Sequence, residues 1–139
     1  MKTLARIFIL MAMAAGCALL EGILVGMPDT TEELDEWALT VDDAIALEPV
    51  IWVDARPVDA YLTEHVEGAV HISLDNWDMG LGELLQEWEP ESAIIVYCDG
   101  NGCESSRAIA EQLRAELSVT NVYWLVNGWP ALQEKGLTP

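Results

Sequence analysis

The sequence is poor in positive charge. Its 139 residues contain six Lys and Arg against 24 Asp and Glu, which gives a formal net charge of -18 at pH 7. A surface of this sign repels nucleic-acid phosphates and anionic lipid headgroups. We therefore exclude nucleic acid as a partner and interpret the dispersed acidic residues as a solvated surface.

Candidate metal ligands are also scarce. The chain has two histidines and three cysteines, and His65 and His71 are not accompanied by a second group of ligands at the spacing of a metal motif. Both histidines are therefore predicted to be structural, hydrogen-bonded residues. The sequence predicts no metal site.

The length allows one core of ordinary size. Composition divides the chain into three parts. We predict a signal or membrane-anchor segment over residues 1–28, an acidic linker over 29–36 and a single folded domain over 37–139.

The first part holds a strongly apolar stretch, the fourteen uncharged residues IFILMAMAAGCALL between Arg6 and Glu21. Three interpretations stay open. Residues 7–27 are long enough to cross a membrane as an uncleaved helix of about 30 Å. A lipoprotein signal would instead be cut before Cys17, which would then be acylated, and a secretory signal would be cleaved near the small residues AAG.

All three interpretations place the domain on the same side of the membrane. Lys2 and Arg6 precede the apolar stretch, and the charged residues beyond it are mainly acidic, so the positive-inside rule keeps the amino end in the cytoplasm. We expect a bacterial inner-membrane protein whose domain faces the periplasm, or a periplasmic protein or lipoprotein if the amino-terminal segment is cleaved. Thiols can pair in that oxidising compartment.

Apolar runs alternate with helical patterns through the rest of the chain. The predicted buried strands are VIWVD (50–54), AVHIS (69–73), AIIVY (93–97) and NVYWLV (121–126). Helical patterns separate them, one of which (80–88) is expected to turn Leu81, Leu84, Leu85 and Trp88 inward. This alternation predicts an α/β fold with a central, mostly parallel sheet and helices on both faces.

The segment VYCDGNGCESSR places Cys98 directly after a predicted strand and just before a helix. In parallel sheets, ligands bind at the carboxyl ends of the strands. The amides of a loop containing Gly100 and Gly102, together with a helix amino terminus, can stabilise a thiolate, whereas Asp99 and Glu104 raise its pKa. The loop is either a plain surface turn or a site at which Cys98 is a nucleophile.

Three segments in this order resemble the rhodanese-like domain. VDARPVDAYLTEHVEGAVHISL is similar to the opening Asp-x-Arg and His-x-x-Gly signature of that family, and VYCDGNGCESSRAIAEQL resembles its active-site loop and following helix. NVYWLVNGWPALQEKGL resembles the closing strand, turn and helix. The resemblance covers about residues 37–138 and implies the rhodanese-like fold.

The resemblance implies a sulfurtransferase without a cofactor. Cys98 would accept sulfur from a donor such as thiosulfate, and its persulfide would pass the sulfur to a thiol or cyanide. Asp54 and Arg56 would help to hold the loop region. The implied active-site loop continues from Cys98 through Asp99, Gly100, Asn101, Gly102, Cys103, Glu104 and Ser105.

The sequence departs from the family pattern at this loop. The loop is longer than in many single-domain members, and Ser105 stands where an Arg is frequent, which disfavours a phosphatase because phosphate would lack its bidentate clamp. Arg107 either points at the loop in place of that cation or is exposed. Asn127 replaces the first Gly of the late turn, and Trp129 is a candidate wall of the pocket.

Cys103 leaves the role of the loop open. A Cys98–Cys103 bond would be a permanent staple, a redox-active pair, or a resolving arrangement that discharges a persulfide or sulfenic acid on Cys98. The alternatives to sulfur transfer are a thiol–disulfide redox sensor and a non-catalytic rhodanese-like binding module. The sequence identifies neither a donor, an acceptor nor a protein partner.

Overall fold

The computed structural model describes residues 35–100 and 104–139. The predicted membrane or signal segment, most of the predicted linker, and Asn101, Gly102 and Cys103 in the loop lie outside these residues. Within the described ranges, no helix is long and apolar enough to cross a membrane.

The fold is a five-stranded parallel sheet with the strand order β1-β5-β4-β2-β3. The strands are β1 (Ala38–Leu39), β2 (Val50–Asp54), β3 (Val70–His71), β4 (Ala93–Tyr97) and β5 (Val122–Leu125). The helices are α1 (Val41–Ile45), α2 (Val58–Thr63), α3 (Trp77–Glu87), α4 (Glu104–Leu117) and α5 (Gly128–Glu134), with a short 3₁₀ helix at Leu74–Asn76. The predicted α/β architecture with a parallel sheet is confirmed.

The central strand β4 has a side chain buried at every position. Ile94 and Val96 pack on one face of the sheet with residues from α3 and α4, whereas Ile95 and Tyr97 pack on the other with residues from α1 and α5. Successive side chains of a strand point to opposite faces. Because helices cover both faces of the sheet, the whole run AIIVY is apolar apart from the hydroxyl of its last residue.

Two local predictions differ from the structure. The strand predicted over 69–73 is reduced to the two residues of β3, which pairs with β2 at the end of the strand order. In α3 the predicted inward position of Leu85 is wrong, because that side chain is 48% exposed. Gly80 and Leu84 are the residues of this helix that are buried against the sheet, and Leu85 lies about 100° around the helix from Leu84.

A glycine allows α3 to approach β3 closely. A Cβ atom added at Gly80 would lie 2.6 Å from the carbonyl oxygen of His71 and 2.9 Å from Cγ1 of Ile72. Gly82, on the exposed side of the same helix, has open space at the equivalent point. The two glycines therefore form a matched pair for testing this packing.

We predict that Gly80→Ala lowers the free energy of unfolding by roughly 1–3 kcal/mol, because the helix must move away from the backbone of β3. Gly82→Ala should leave it unchanged or raise it by up to about 1 kcal/mol through helix propensity. Urea denaturation followed by circular dichroism measures both variants. Equal effects of the two substitutions would contradict the proposed close contact.

Candidate functional site

The parallel register brings the predicted site residues to one edge of the sheet. Asp54, the last residue of β2, is the register partner of His71 in β3 and of Tyr97 in β4. Cys98 is the next residue after Tyr97. The carboxyl ends of three adjacent strands therefore meet beside the loop that begins at Cys98.

Asp54 and Arg56 form a buried ion pair at this edge, with exposed fractions of 0% and 4%. Nη2 of Arg56 donates to Oδ2 of Asp54 at 2.7 Å, Nε lies 3.1 Å from both carboxylate oxygens, and the backbone N–H of Arg56 donates to Oδ1 at 2.9 Å. Burial acts to lower the pKa of Arg56, but the hydrogen bonds and charge of Asp54 outweigh it and raise that pKa above its ordinary value.

Tyr97 completes the set of donors around the carboxylate of Asp54. Its hydroxyl donates to Oδ2 of Asp54 at 2.8 Å and accepts from the backbone N–H of Val66 at 3.2 Å. Burial, reinforced by the charge of Asp54, raises the pKa of Tyr97 far above its ordinary value, so the phenol stays protonated and remains a donor. Sequence motifs do not predict this role of Tyr97, although a phenol at the end of a fully buried strand indicates a polar partner there.

Trp129 connects α5 to the ion pair. The guanidinium carbon of Arg56 lies 3.8 Å from the centroid of the Trp129 ring, and that ring stacks on Tyr97 at 6.0 Å. Nη2 of Arg56 also donates to the carbonyl oxygen of Glu64 at 2.6 Å. Trp129 is nearly buried, so it packs on the ion pair, whereas the sequence suggested a pocket wall.

The backbone of Cys98 is held from the side of α5. The N–H of Trp129 donates to the carbonyl oxygen of Cys98 at 2.6 Å. Gly128 has a φ of +45°, and a Cβ there would collide with that same carbonyl group. Asn127 has a φ of +61°, a left-handed conformation that Asn adopts more readily than most residues. This explains how Asn replaces the first glycine of the turn.

The sulfur of Cys98 is buried and oxidised. The residue is 1% exposed and disulfide-bonded, and its Sγ lies 3.8 Å from the carbonyl oxygen of Gly100. The other two cysteines, Cys17 and Cys103, lie outside the described residues. A disulfide sulfur is not a thiolate, so any nucleophilic role of Cys98 requires reduction first.

The other predicted loop residues are placed only in part. Asp99 and Glu104 are exposed, Gly100 has a φ of +151°, and Ser105 lies in the first turn of α4. A cavity of about 720 Å³ opens beside this turn. Its lining includes Ser105, Arg56 and His71 but not Cys98.

Among the contacts that the structure describes, Arg107 has none with the loop, so it does not replace the missing cation there. Its Nε lies 3.5 Å from Oδ2 of Asp35, and its guanidinium carbon lies 4.7 Å from the ring centroid of Trp124. The indole N–H of Trp124 donates to Oδ1 of Asp35 at 3.1 Å. Arg107 therefore helps to hold Asp35, a residue of the predicted linker, against Trp124 of β5.

Both histidines are held by hydrogen bonds. Nε2 of His71 lies 2.8 Å from the carbonyl oxygen of Arg56, and Nδ1 lies 3.1 Å from the amide nitrogen of Asn76. Since a carbonyl only accepts, Nε2 carries the proton and Nδ1 accepts from the amide. His65 bonds the carbonyl oxygen of Tyr61 at 2.8 Å and stacks on its ring. The structure supports the predicted structural roles.

No group of three or more His, Cys, Asp or Glu in the two described ranges is arranged to hold a metal ion.

Comparisons with known proteins agree with this architecture. The family model for the rhodanese-like domain matches residues 38–135. Over 96 residues the chain is 29% identical to thiosulfate sulfurtransferase GlpE of Coxiella burnetii, which covers 69% of this chain and 78% of that protein.

Two solved structures share the fold. The BH2092 protein from Bacillus halodurans superposes with a TM-score of 0.57 at 23% identity, covering 72% of this chain and 73% of that one. A variant of EanB in complex with hercynine gives the same TM-score and identity, covering 76% of this chain and 28% of that one.

We predict that Tyr97→Phe lowers the free energy of unfolding by roughly 1–3 kcal/mol, because it removes a donor from a buried carboxylate. The raised pKa of Tyr97 also means that the native state loses stability as the pH rises above about 10, where the unfolded phenol ionises. The variant should show a shallower loss than the parent chain. Urea denaturation between neutral pH and the alkaline range measures both effects.

Tyr123→Phe is the control for Tyr97→Phe. Tyr123 lies in the neighbouring strand β5, packs on the ring of Trp37, and is only half-buried. The control should change stability by less than about 0.5 kcal/mol. A similar loss in both variants would contradict the role assigned to the bond between Tyr97 and Asp54.

Proposed function

The chain belongs to the rhodanese-like domain family, and from this premise we propose that it transfers sulfane sulfur through a persulfide on Cys98. The donor would be a small sulfur compound such as thiosulfate, and the acceptor a thiol or cyanide. The observation that carries the proposal is the place of Cys98, directly after the central strand at the edge where parallel sheets bind ligands. The likeness to a thiosulfate sulfurtransferase supports the same chemistry.

The proposed reaction has two displacements at sulfur. The Cys98 thiolate attacks the sulfane sulfur of thiosulfate, the S–S bond of the donor breaks, and sulfite leaves with the electron pair. The acceptor thiolate then attacks the outer sulfur of the persulfide, which releases the Cys98 thiolate. Neither displacement requires a metal or an organic cofactor.

The anionic sulfur would depend on backbone amides for its stabilisation. The charge of Arg56 is already matched by Asp54 at 2.7 Å, so Arg56 supports the site by positioning rather than as a free cation. In this proposal the amino terminus of α4 would favour an anion through its helix dipole. Asp99 and Glu104 are both exposed, so solvent and salt weaken their repulsion of an anionic sulfur.

The disulfide at Cys98 favours a second candidate, a thiol–disulfide redox function. A dithiol reductant would attack the disulfide, become oxidised to its own disulfide, and leave Cys98 and its partner as thiols. In this candidate function the exchange itself is the activity. In the sulfur-transfer function the same exchange is the step that activates the enzyme.

We predict that thiosulfate turnover with cyanide appears only after treatment with a dithiol reductant that is then removed. Cys98→Ser should reduce turnover to background, because no nucleophilic sulfur remains at the site. Thiocyanate formation measures turnover, and mass spectrometry should find one added sulfur on Cys98 after incubation with the donor alone.

Cys103→Ser and Cys17→Ser are the controls, and both should keep turnover. Retained activity in Cys98→Ser would refute sulfur transfer through this residue. If the reduced parent chain shows no turnover and no added sulfur but exchanges its disulfide with dithiols, the redox function is the correct one.

We further propose that the domain faces the periplasm, attached through residues 7–27 or released after cleavage. The support is the charge pattern, because Lys2 and Arg6 precede the apolar stretch and the charged residues beyond it are mainly acidic. Such a location exposes Cys98 to an oxidising compartment, which is consistent with its disulfide.

Fusion of alkaline phosphatase after the last residue should give an active reporter in bacteria, since that enzyme folds only where disulfides form. A fluorescent protein that folds only in the cytoplasm, fused at the same point, should stay dark. Exchanging Lys2 and Arg6 for Glu should weaken the phosphatase signal. A bright cytoplasmic reporter on the unaltered chain would overturn the location.

A further inference from the structure

The cavity beside α4 is an open apolar groove. Its walls are α2, the segment that joins β3 to α3, and α3 itself. Seven large apolar side chains are exposed in the described part of the chain, and four of them line this groove. They are Val58, Leu62, Leu74 and Met79, with exposed fractions of 52%, 71%, 68% and 74%. Clustered exposure of this kind marks an interaction surface.

The free charges on the groove are negative. Asp75 and Glu83 line it, are exposed, and form no ion pair within the described ranges. The cation in the lining is Arg56, whose charge is matched by Asp54. The charge of Glu83 reaches the groove wall, since it contributes with burial to raising the pKa of Tyr61.

This combination of apolar surface and negative charge restricts the occupant. A second copy of a chain with a net charge of -18 would be repelled, and so would an anionic lipid surface. A small molecule is usually enclosed over most of its surface, whereas three of the four apolar side chains here are about 70% exposed. A partner that carries apolar side chains beside lysine or arginine satisfies both features.

We propose that the groove between α2 and α3 docks a basic, amphipathic segment of a partner protein. Apolar side chains of that segment would cover Leu62, Leu74 and Met79, and its cationic side chains would face Asp75 and Glu83. Helix-in-groove recognition uses the same division between apolar anchors and charged flanks. Because Ser105 lines the groove, the bound partner lies beside the loop that begins at Cys98. The proposal concerns binding and holds whether or not Cys98 transfers sulfur.

A fluorescent amphipathic peptide of leucine and lysine is the probe, and anisotropy with the full chain measures its affinity. Leu62→Ser and Met79→Ser should each weaken binding roughly tenfold, because each removes an apolar contact. Glu83→Gln should weaken it roughly two- to fivefold at low salt, with the difference lost at high salt. All three side chains are exposed, so the variants should stay folded, which circular dichroism checks.

Matched controls lie on the same helix outside the groove lining. Leu85→Ser and Glu87→Gln should leave the affinity unchanged, since both residues are exposed on α3 but do not line the groove. A peptide with glutamate in place of lysine should not bind. Equal binding of the two peptides, or equal loss in Leu85→Ser and Met79→Ser, would overturn the proposal.

Other occupants give different results, each of which would also overturn it. Self-association that Met79→Ser abolishes would show that a second copy fills the groove. Binding of anionic vesicles that requires Leu62 would show a lipid surface. If replacing Lys2 and Arg6 by Ser raises the affinity for the peptide, the chain's own amino terminus is the occupant.

Discussion

The carboxylate of Asp54 is a buried charge, and the architecture of the site depends on satisfying it. A buried ion that loses its partner costs roughly 3–5 kcal/mol, so the donors around it are tightly constrained. Arg56 supplies its backbone N–H and guanidinium, and Tyr97 supplies its hydroxyl. The guanidinium in turn lies under Trp129 at the start of α5. One charge therefore fixes the ends of β2 and β4 and the position of α5. Cys98 is the residue after Tyr97, so its position depends on the same contacts.

The central part of the fold follows from local sequence patterns. VIWVD and AIIVY become strands with the predicted bounds, because runs that are apolar on both faces suit the middle of a parallel sheet. The bounds of the strand at the edge of the sheet, β3, are less predictable. The edge strand β3 pairs with β2. The chain then turns into the 3₁₀ helix, which begins with a capping box between Ser73 and Asn76. The length of β3 therefore depends on polar bonds that hydrophobic periodicity does not reveal.

The residues of the candidate site also divide into those that local sequence predicts and those that it does not. Asp54, Arg56 and Cys98 are found from short motifs because their positions relative to β2 and β4 are local. Local sequence does not predict the contacts of Tyr97 and Arg107, because their partners are distant in the chain. The hydroxyl of Tyr97 meets Asp54 from another strand, and Arg107 meets Asp35 and Trp124 instead of the loop. A cationic side chain contacts the carboxylate and the aromatic ring that lie within its reach. Which groups these are depends on the order of the strands in the sheet.

The backbone of Cys98 is held by contacts that do not involve its sulfur. Gly128 and the N–H of Trp129 fix the peptide of Cys98 from the side of α5, so β4 and the Asp54 network need not move when the disulfide opens. The edge of the sheet can therefore keep its fold in both oxidation states of Cys98, while only the reduced state supplies a thiolate. The groove is lined mainly by α2, α3 and the segment between β3 and α3, so the proposed docking does not depend on the oxidation state of Cys98.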